Sequence, residues 1–169
     1  MLFGTPTMLK RANPLKLYHG SSLLEQVKSF KYLGVTFDSK MNFDAHIKNT
    51  MSKISSRIGI LGRIRNYLPL KYRIMVFNSI IQPHFDYLST IWSNTYAKYI
   101  DPLVALQARA GRVILGVSKY TPSDVILRDL KWTPMETRWQ SQRAVMMFRV
   151  ARGQVPGYLS AGFTPLRAG

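Results

Sequence analysis

The apolar positions of this chain change period once. From Phe43 onward they recur at helical spacing. Ile47, Met51, Ile54, Ile58, Leu61 and Leu68 follow one another at intervals of 4, 3, 4, 3 and 7 residues, which lays one apolar stripe along a long helix. Asn42 or Asp44 can start it, since a short polar side chain caps the orphan N–H groups and an acid suits the positive end of the helix dipole. The segment Asn66 to Pro69 ends it. A second helix is predicted over 70–92, with Ile74, Phe77, Ile81, Phe85 and Leu88 on one side and Pro83 as a kink or division. A third runs over 97–116 with Leu103, Leu106, Ala110, Val113 and Ile114 facing inward. After the loop "SKYTPSD", Ser123 or Asp124 caps a short helix to Leu130. Pro134 suits the first turn of a last long helix ending near Arg152-Gly153, and the tail "QVPGYLSAGFTPLRAG" reads as loose.

Before Phe43 the pattern is that of strands and turns. Met1-Leu2-Phe3 is a short apolar run ended by Gly4-Thr5-Pro6, Asn13-Pro14 marks a turn, Leu15 to Tyr18 alternates weakly, and His19-Gly20 can reverse the chain. Leu24 to Phe30 and Lys31 to Asp38 read as a strand pair, in which Gly34 signals a bulge or a close backbone approach. These residues are too few to bury a core of their own and read as the edge of a sheet. The expected fold is mainly α, a helical bundle with a small N-terminal β-hairpin or sheet remnant, α+β overall.

Charge narrows the class of partner. Lys and Arg number 24 against 8 Asp and Glu, a net charge of +16 over 169 residues, which favours nucleic acid or an anionic membrane surface. No run of about 18 apolar residues occurs, so no transmembrane helix is expected. The first residues are broken by Gly and Pro too early for a signal peptide, and an intracellular protein is expected. The excess is localised. Between Asp44 and Asp86 there is no acid, while the interval holds Lys48, Lys53, Arg57, Arg63, Arg65, Lys71 and Arg73. Such cations, read as lacking neutralising acids at i,i+4, repel one another, and contact with a phosphate backbone explains them better than a merely solvated face. A sparser acid-free stretch holds Arg138, Arg143, Arg149, Arg152 and Arg167 and reads as solvated. Tyr67, Tyr72, Tyr87, Trp92, Tyr96 and Tyr99 are interleaved with the basic residues; base stacking is open to them, although most read as packing.

The chain has no Cys and three His, so disulfides and thiol chemistry are excluded and a metal site is not expected. Neither a Walker-type glycine loop nor a Gly-x-Ser-x-Gly elbow is present. The acids are scattered singly, whereas two-metal chemistry needs converging carboxylates. His84 and Asp86 flank Phe85 and point apart on a helix. No catalytic residue and no metal ligand is assigned.

Four stretches in series, "SFKYLGVTFDSKMNFDAHI", "KISSRIGILGRIRNYLP", "FNSIIQPHFDY" and "LQARAGRVILG", resemble in order and spacing the C-terminal part of the reverse transcriptase of LINE-type, jockey-like non-LTR retrotransposons. The resemblance covers roughly residues 1–130 and the tail less clearly. It implies three parts: palm-edge strands over 1–42, a helical thumb-like region over 43–118, and a C-terminal helical extension with a loose tail over 119–169. It places Phe30, Lys31, Tyr32, Leu33 and Gly34 in a primer-grip-like hairpin, and lays the helix that starts near Phe43 against the backbone of an RNA/DNA template–primer. The family's catalytic Asp-Asp hairpin would lie upstream of a stretch like "MLFGTP", and its Cys-rich knuckle has no counterpart here. The expectation is therefore a truncated reverse-transcriptase remnant that is not a polymerase by itself. It would bind no cofactor of its own (Mg²⁺ belongs to the parent enzyme), partner the missing palm and fingers, need no membrane, and be nuclear by resemblance. A helical interaction module or a relic without a nucleic-acid role is the alternative.

Overall fold

The computed structural model describes residues 1–11 and 16–163. The expected turn at Asn13-Pro14, Leu15 and Arg167 lie outside the described residues. The order of elements is α1 (Pro6–Arg11), β1 (Tyr18–His19), β2 (Ser22–Leu23), β3 (Ser29–Tyr32), β4 (Val35–Asp38), α2 (Asp44–Ile64), α3 (Leu70–Val76), α4 (Gln82–Asp86), α5 (Ser89–Trp92), α6 (Ala97–Leu115), α7 (Ser123–Asp129), α8 (Met135–Ala151) and α9 (Gly157–Ser160). The fold is mainly α with two small antiparallel strand pairs.

The predicted stripe becomes the core. Ile47, Ile54, Ile58 and Leu61 of α2 are buried, and α2 packs on α6, whose Leu103, Leu106, Ala110 and Ile114 are buried in the same cluster. Helix α2 ends at Ile64 and tightens into one 3₁₀ turn, Arg65–Tyr67, before Pro69. Its start bears out the expectation only in part. The position before the helix is Phe43, left-handed at φ 58° and without a side-chain cap. The Asp38 carboxylate shapes the approach, accepting the backbone N–H groups of Lys40 (2.9 Å), Asn42 (3.3 Å) and Phe43 (2.7 Å), while Asn42 Oδ1 accepts that of Asp44, the first helical residue (3.1 Å). The last acid of the hairpin thus fixes the entry of the helix.

The second predicted helix is divided, for the reason Pro83 supplies. Proline has no N–H and its ring crowds the carbonyl four residues back. The chain answers with a π-helical turn over Phe77–Ile81 between α3 and α4. It breaks again at Tyr87–Leu88, where Leu88 is left-handed at φ 50°. Two indoles take carbonyls freed there: Trp139 Nε1 donates to the Phe85 carbonyl and Trp92 Nε1 to that of Tyr87, each at 2.9 Å. The two rings meet edge to face at 5.4 Å.

The same region anchors α8. Asp86 accepts Nε and Nη2 of Arg138 (both 2.8 Å), Gln82 Nε2 (3.1 Å) and Gln142 Nε2 (3.2 Å). The strong bidentate bond holds the Arg138 guanidinium above its ordinary value. Gln107, buried on α6, donates to the Thr133 carbonyl (2.9 Å) and accepts the Met135 N–H (3.0 Å), which fixes the turn into α8. Gly111 lets α7 approach α6, since a Cβ there would overlap Ile126.

Three sequence expectations for the flanks are corrected. Residues 6–11 form a short helix where strands and turns were expected, and the tail contains helix α9. The strand pair lies later than predicted: Ser29 pairs with Asp38 and Tyr32 with Val35, so the reversal falls at Leu33-Gly34 inside the second expected strand. Both turn residues have positive φ (45° and 83°), which makes Gly34 a turn residue and not a bulge.

Candidate nucleic-acid interface

The basic residues of α2 are placed by what their neighbours bury. Lys53 precedes buried Ile54 and Arg57 precedes buried Ile58, so both stand at the margin of the core stripe. At about 100° per residue, Arg57 lies about 40° from Lys53 on one side, and Arg63 about 80° and Lys48 about 140° on the other. Together they sweep about half the circumference of the helix over roughly 22 Å. Lys48, Lys53 and Arg63 are exposed and Arg57 is half-buried.

The seven residues are not equivalent. The Lys48 ammonium pairs with Asp44 Oδ2 at 2.8 Å, and that bond raises it above its ordinary value. This corrects the reading of α2 as free of i,i+4 acids: Asp44, at its first position, neutralises the first cation. Arg57 turns Nη1 onto the Lys53 carbonyl (3.2 Å). Arg73 donates Nε to the Leu68 carbonyl (2.7 Å) and Nη1 to that of Ile114 (2.8 Å), clamping the start of α3 to the end of α6. Arg65 is half-buried in the 3₁₀ turn and Lys71 is exposed at the start of α3. Lys53, Arg57, Arg63, Arg65 and Lys71 have no acid within ion-pair distance among the described residues.

Apolar and aromatic groups share this surface, which charge counting missed. Ile60 and Ile64 fall within the arc between Arg63 and Arg57 and are exposed. At the corner from α2 to α3, Tyr67 is 85% exposed and Tyr72 49%. The expectation that most aromatics are packing holds for Trp92 and for half-buried Tyr99 but not for the other four tyrosines, since Tyr87 and Tyr96 are exposed as well. An exposed Tyr is invisible to periodicity because it sits on no stripe.

Two histidines border the face. His46 is buried, accepts the Thr36 N–H at Nδ1 (3.4 Å) and meets Trp92 edge to face at 5.6 Å. Burial first, then Lys53, holds it below its ordinary value. His84 on α4 is half-buried and held down by burial, then Arg57, then Lys53.

The hairpin residues Phe30, Lys31, Tyr32, Leu33 and Gly34 are exposed, and their turn is docked. The Tyr87 hydroxyl donates to the Leu33 carbonyl at 2.8 Å, and a Cβ on Gly34 would lie 3.3 Å from the Tyr87 ring. Val35 is buried in the helical core, so the hairpin and α2 share one cluster. Phe30 and Tyr32, opposite Phe37 and Val35, overhang it and remain 55% and 60% exposed. Among the described residues no three of Asp, Glu and His come together as metal ligands, and no helix is long and apolar enough to cross a membrane.

No family model matches the chain, and no solved structure matches it. Sequence relatives do exist. The chain is 26% identical over 126 residues to the "Probable RNA-directed DNA polymerase from transposon X-element" of Drosophila melanogaster, covering 73% of this chain and 14% of that protein. It is 29% identical over 112 residues to the RNA-directed DNA polymerase from mobile element jockey of the same fly, covering 64% and 12%. A probable polymerase from transposon BS is 27% identical over 117 residues, 68% and 13%. The chain thus matches a small part of each relative's length. It is similar, over about two thirds of its own length, to one segment of the RNA-directed DNA polymerases of jockey-like non-LTR retrotransposons.

Proposed function

We propose that this chain is a thumb-like segment of a reverse transcriptase of this type and binds template–primer nucleic acid through the outer face of α2. The observation that carries the reading is that face itself: Lys53, Arg57 and Arg63 stand without acid partners among the described residues, on a helix whose opposite side is fixed in the core. Cations held on a rigid helix meet phosphates without reading bases. Arg65, Lys71, Tyr67 and Tyr72 extend the surface round the corner to α3, where an exposed phenol can stack on a base or sugar. Lys48 contributes less, being paired, and Arg73 holds the corner together.

In this reading the hairpin at Phe30–Gly34 is the primer-grip-like part, and Tyr87 keeps it in register with α2. Catalysis and its Mg²⁺ belong to other parts of such a polymerase, so the chain alone makes no DNA. Primer extension with Mg²⁺ or Mn²⁺ tests that half: deoxynucleotide-dependent product above a mock purification would overturn it. Fluorescence anisotropy with an RNA/DNA hybrid at several salt concentrations tests the other. A steep salt dependence with little sequence preference supports it; equal binding to a neutral polymer sinks it.

A second reading is favoured by a separate observation. Phe3, Met8, Leu17, Leu23, Leu24 and Leu33 are each more than half exposed, and apolar side chains left in water favour association where they lie together. Association through that surface makes the chain an interaction module, and light scattering after gel filtration measures it.

A further inference from the structure

Helix α8 is held in the core near its two ends. Met135, Trp139 and Val150 are buried, and no residue between Trp139 and Val150 is. Yet Ala144, Val145, Met146, Met147 and Phe148 are all apolar and all exposed. Successive positions at about 100° each close the full circle of a helix within such a run, and a turn that is apolar all round is ordinarily covered by protein. One side of it forms the wall of a groove of about 560 Å³ against the end of α4 and the start of α5. Along that wall Arg138, Gln142, Val145 and Arg149 follow at intervals of 4, 3 and 4 residues, with Met146 beside Val145 and Leu88 on the facing wall. The stripe runs for roughly 16 Å, about three turns of helix. Its polar end is already satisfied. Asp86 takes Nε and Nη2 of Arg138 (both 2.8 Å) and Nε2 of Gln142 (3.2 Å), and the buried Ser89 hydroxyl donates to Gln142 Oε1. What the groove offers to a ligand is therefore Val145 and Met146, with Leu88 facing them, and Arg149 at its far end. No acid lies within ion-pair distance of Arg149 among the described residues, and none follows Glu136 in the chain.

We infer that this groove docks an acidic amphipathic helix of a partner protein, with its apolar side chains on Val145 and Met146 and a carboxylate on Arg149. Charge selects that occupant. A second copy of this chain carries 24 Lys and Arg against 8 Asp and Glu and is repelled. A nucleic acid gains by having many phosphates neutralised, and here one unpaired cation stands beside apolar side chains. An apolar stripe flanked by acids matches both the length of the groove and its charge. Methionine suits the contact, because its unbranched thioether chain adapts to the shape laid against it. The inference is independent of the nucleic-acid reading of α2.

The experiment uses the whole chain and synthetic peptides of about four helical turns. The first has leucines at helical spacing flanked by glutamates, the second has lysines for the glutamates, and the third is the first with its sequence scrambled. Affinities are read by fluorescence anisotropy at about 0.15 M salt, which screens long-range attraction to the basic chain. The acid-flanked peptide should bind about tenfold or more tighter than either control. Val145→Ser with Met146→Gln should weaken it by about tenfold, since these side chains are the anchors. Arg149→Glu should reverse the preference between the glutamate and lysine peptides. All three side chains are exposed, and circular dichroism confirms that the variants are folded. Gln at Lys53, Arg57 and Arg63 together should leave the peptide affinity within about twofold. Acid-flanked and scrambled peptides that bind alike, or an affinity unmoved by Val145→Ser with Met146→Gln, overturn the inference. A dimer that those two substitutions abolish would give the groove to a second copy, and an RNA/DNA hybrid affinity that they cut about tenfold would give it to nucleic acid; either result overturns it as well.

Discussion

Arg73 illustrates how much a single side chain's partners decide. By sequence it is one more cation in an acid-free run. In the fold its guanidinium joins the carbonyls of Leu68 and Ile114, 41 residues away along the chain. Arg73→Ala should cost about 1–3 kcal/mol, because two half-buried carbonyls lose a charged donor, and Arg73→Lys should recover little, having no fork to span both. Urea denaturation reads this directly; an unchanged midpoint would mean that solvent replaces the clamp without cost. Gly34 is the second case. At φ 83° and 3.3 Å from the Tyr87 ring, Gly34→Ala must bear a left-handed backbone and crowd its neighbour, about 1–2 kcal/mol together. Alanine at Gly20, also left-handed but with open space around it, should cost only the backbone part; equal losses at the two sites would remove the role given to Tyr87.

At the scale of elements, the long stripes were legible and the breaks were only half so. The stripe of α2 and that of α6 are periodic over many residues and became the core as read. Pro83 announced a disturbance in the second helix. Its form, a π-helical turn followed by a reversal at Leu88, depended on Trp139 arriving from a helix 54 residues on to take the Phe85 carbonyl. No local pattern carries that information. The same holds for the approach to α2, which an acid on the preceding strand holds in place. Trp139→Phe tests the point. It keeps most of the apolar bulk but leaves the Phe85 carbonyl without its donor, and should cost about 1–3 kcal/mol. A loss under about 0.5 kcal/mol would show that the break in the helix holds without the indole. The candidate site was legible as a charge run. Its internal differences, with Lys48 paired, Arg73 clamped and Tyr67 projecting, were not, because pairing and exposure are set by three-dimensional neighbours.

The whole molecule should respond to pH and to salt in separable ways. His46 and His84 are both held below their ordinary value in the fold, so the unfolded chain binds more protons in the window from about pH 7 down to their folded values. Stability contributed by the neutral imidazoles is fully present above that window and is lost as pH falls through it. Thermal melts should therefore be flat from about pH 7.5 to 8.5 and fall below about pH 6.5. His46→Gln should lessen the fall, and a melting temperature that rises on acidification would contradict the burial of His46. Salt addresses the central claim, that the outer face of α2 meets nucleic-acid phosphates. The most direct measurement is the slope of log Kobs against log salt for an RNA/DNA hybrid, compared between wild type and the triple variant Lys53→Gln, Arg57→Gln, Arg63→Gln. At about 0.9 per phosphate neutralised on duplex DNA, a face of this kind should give a wild-type slope of roughly −3 to −5, and the triple variant should lose about 2–3 of it with its fold intact. A wild-type slope near zero, or one that the three substitutions leave unchanged, would contradict the account.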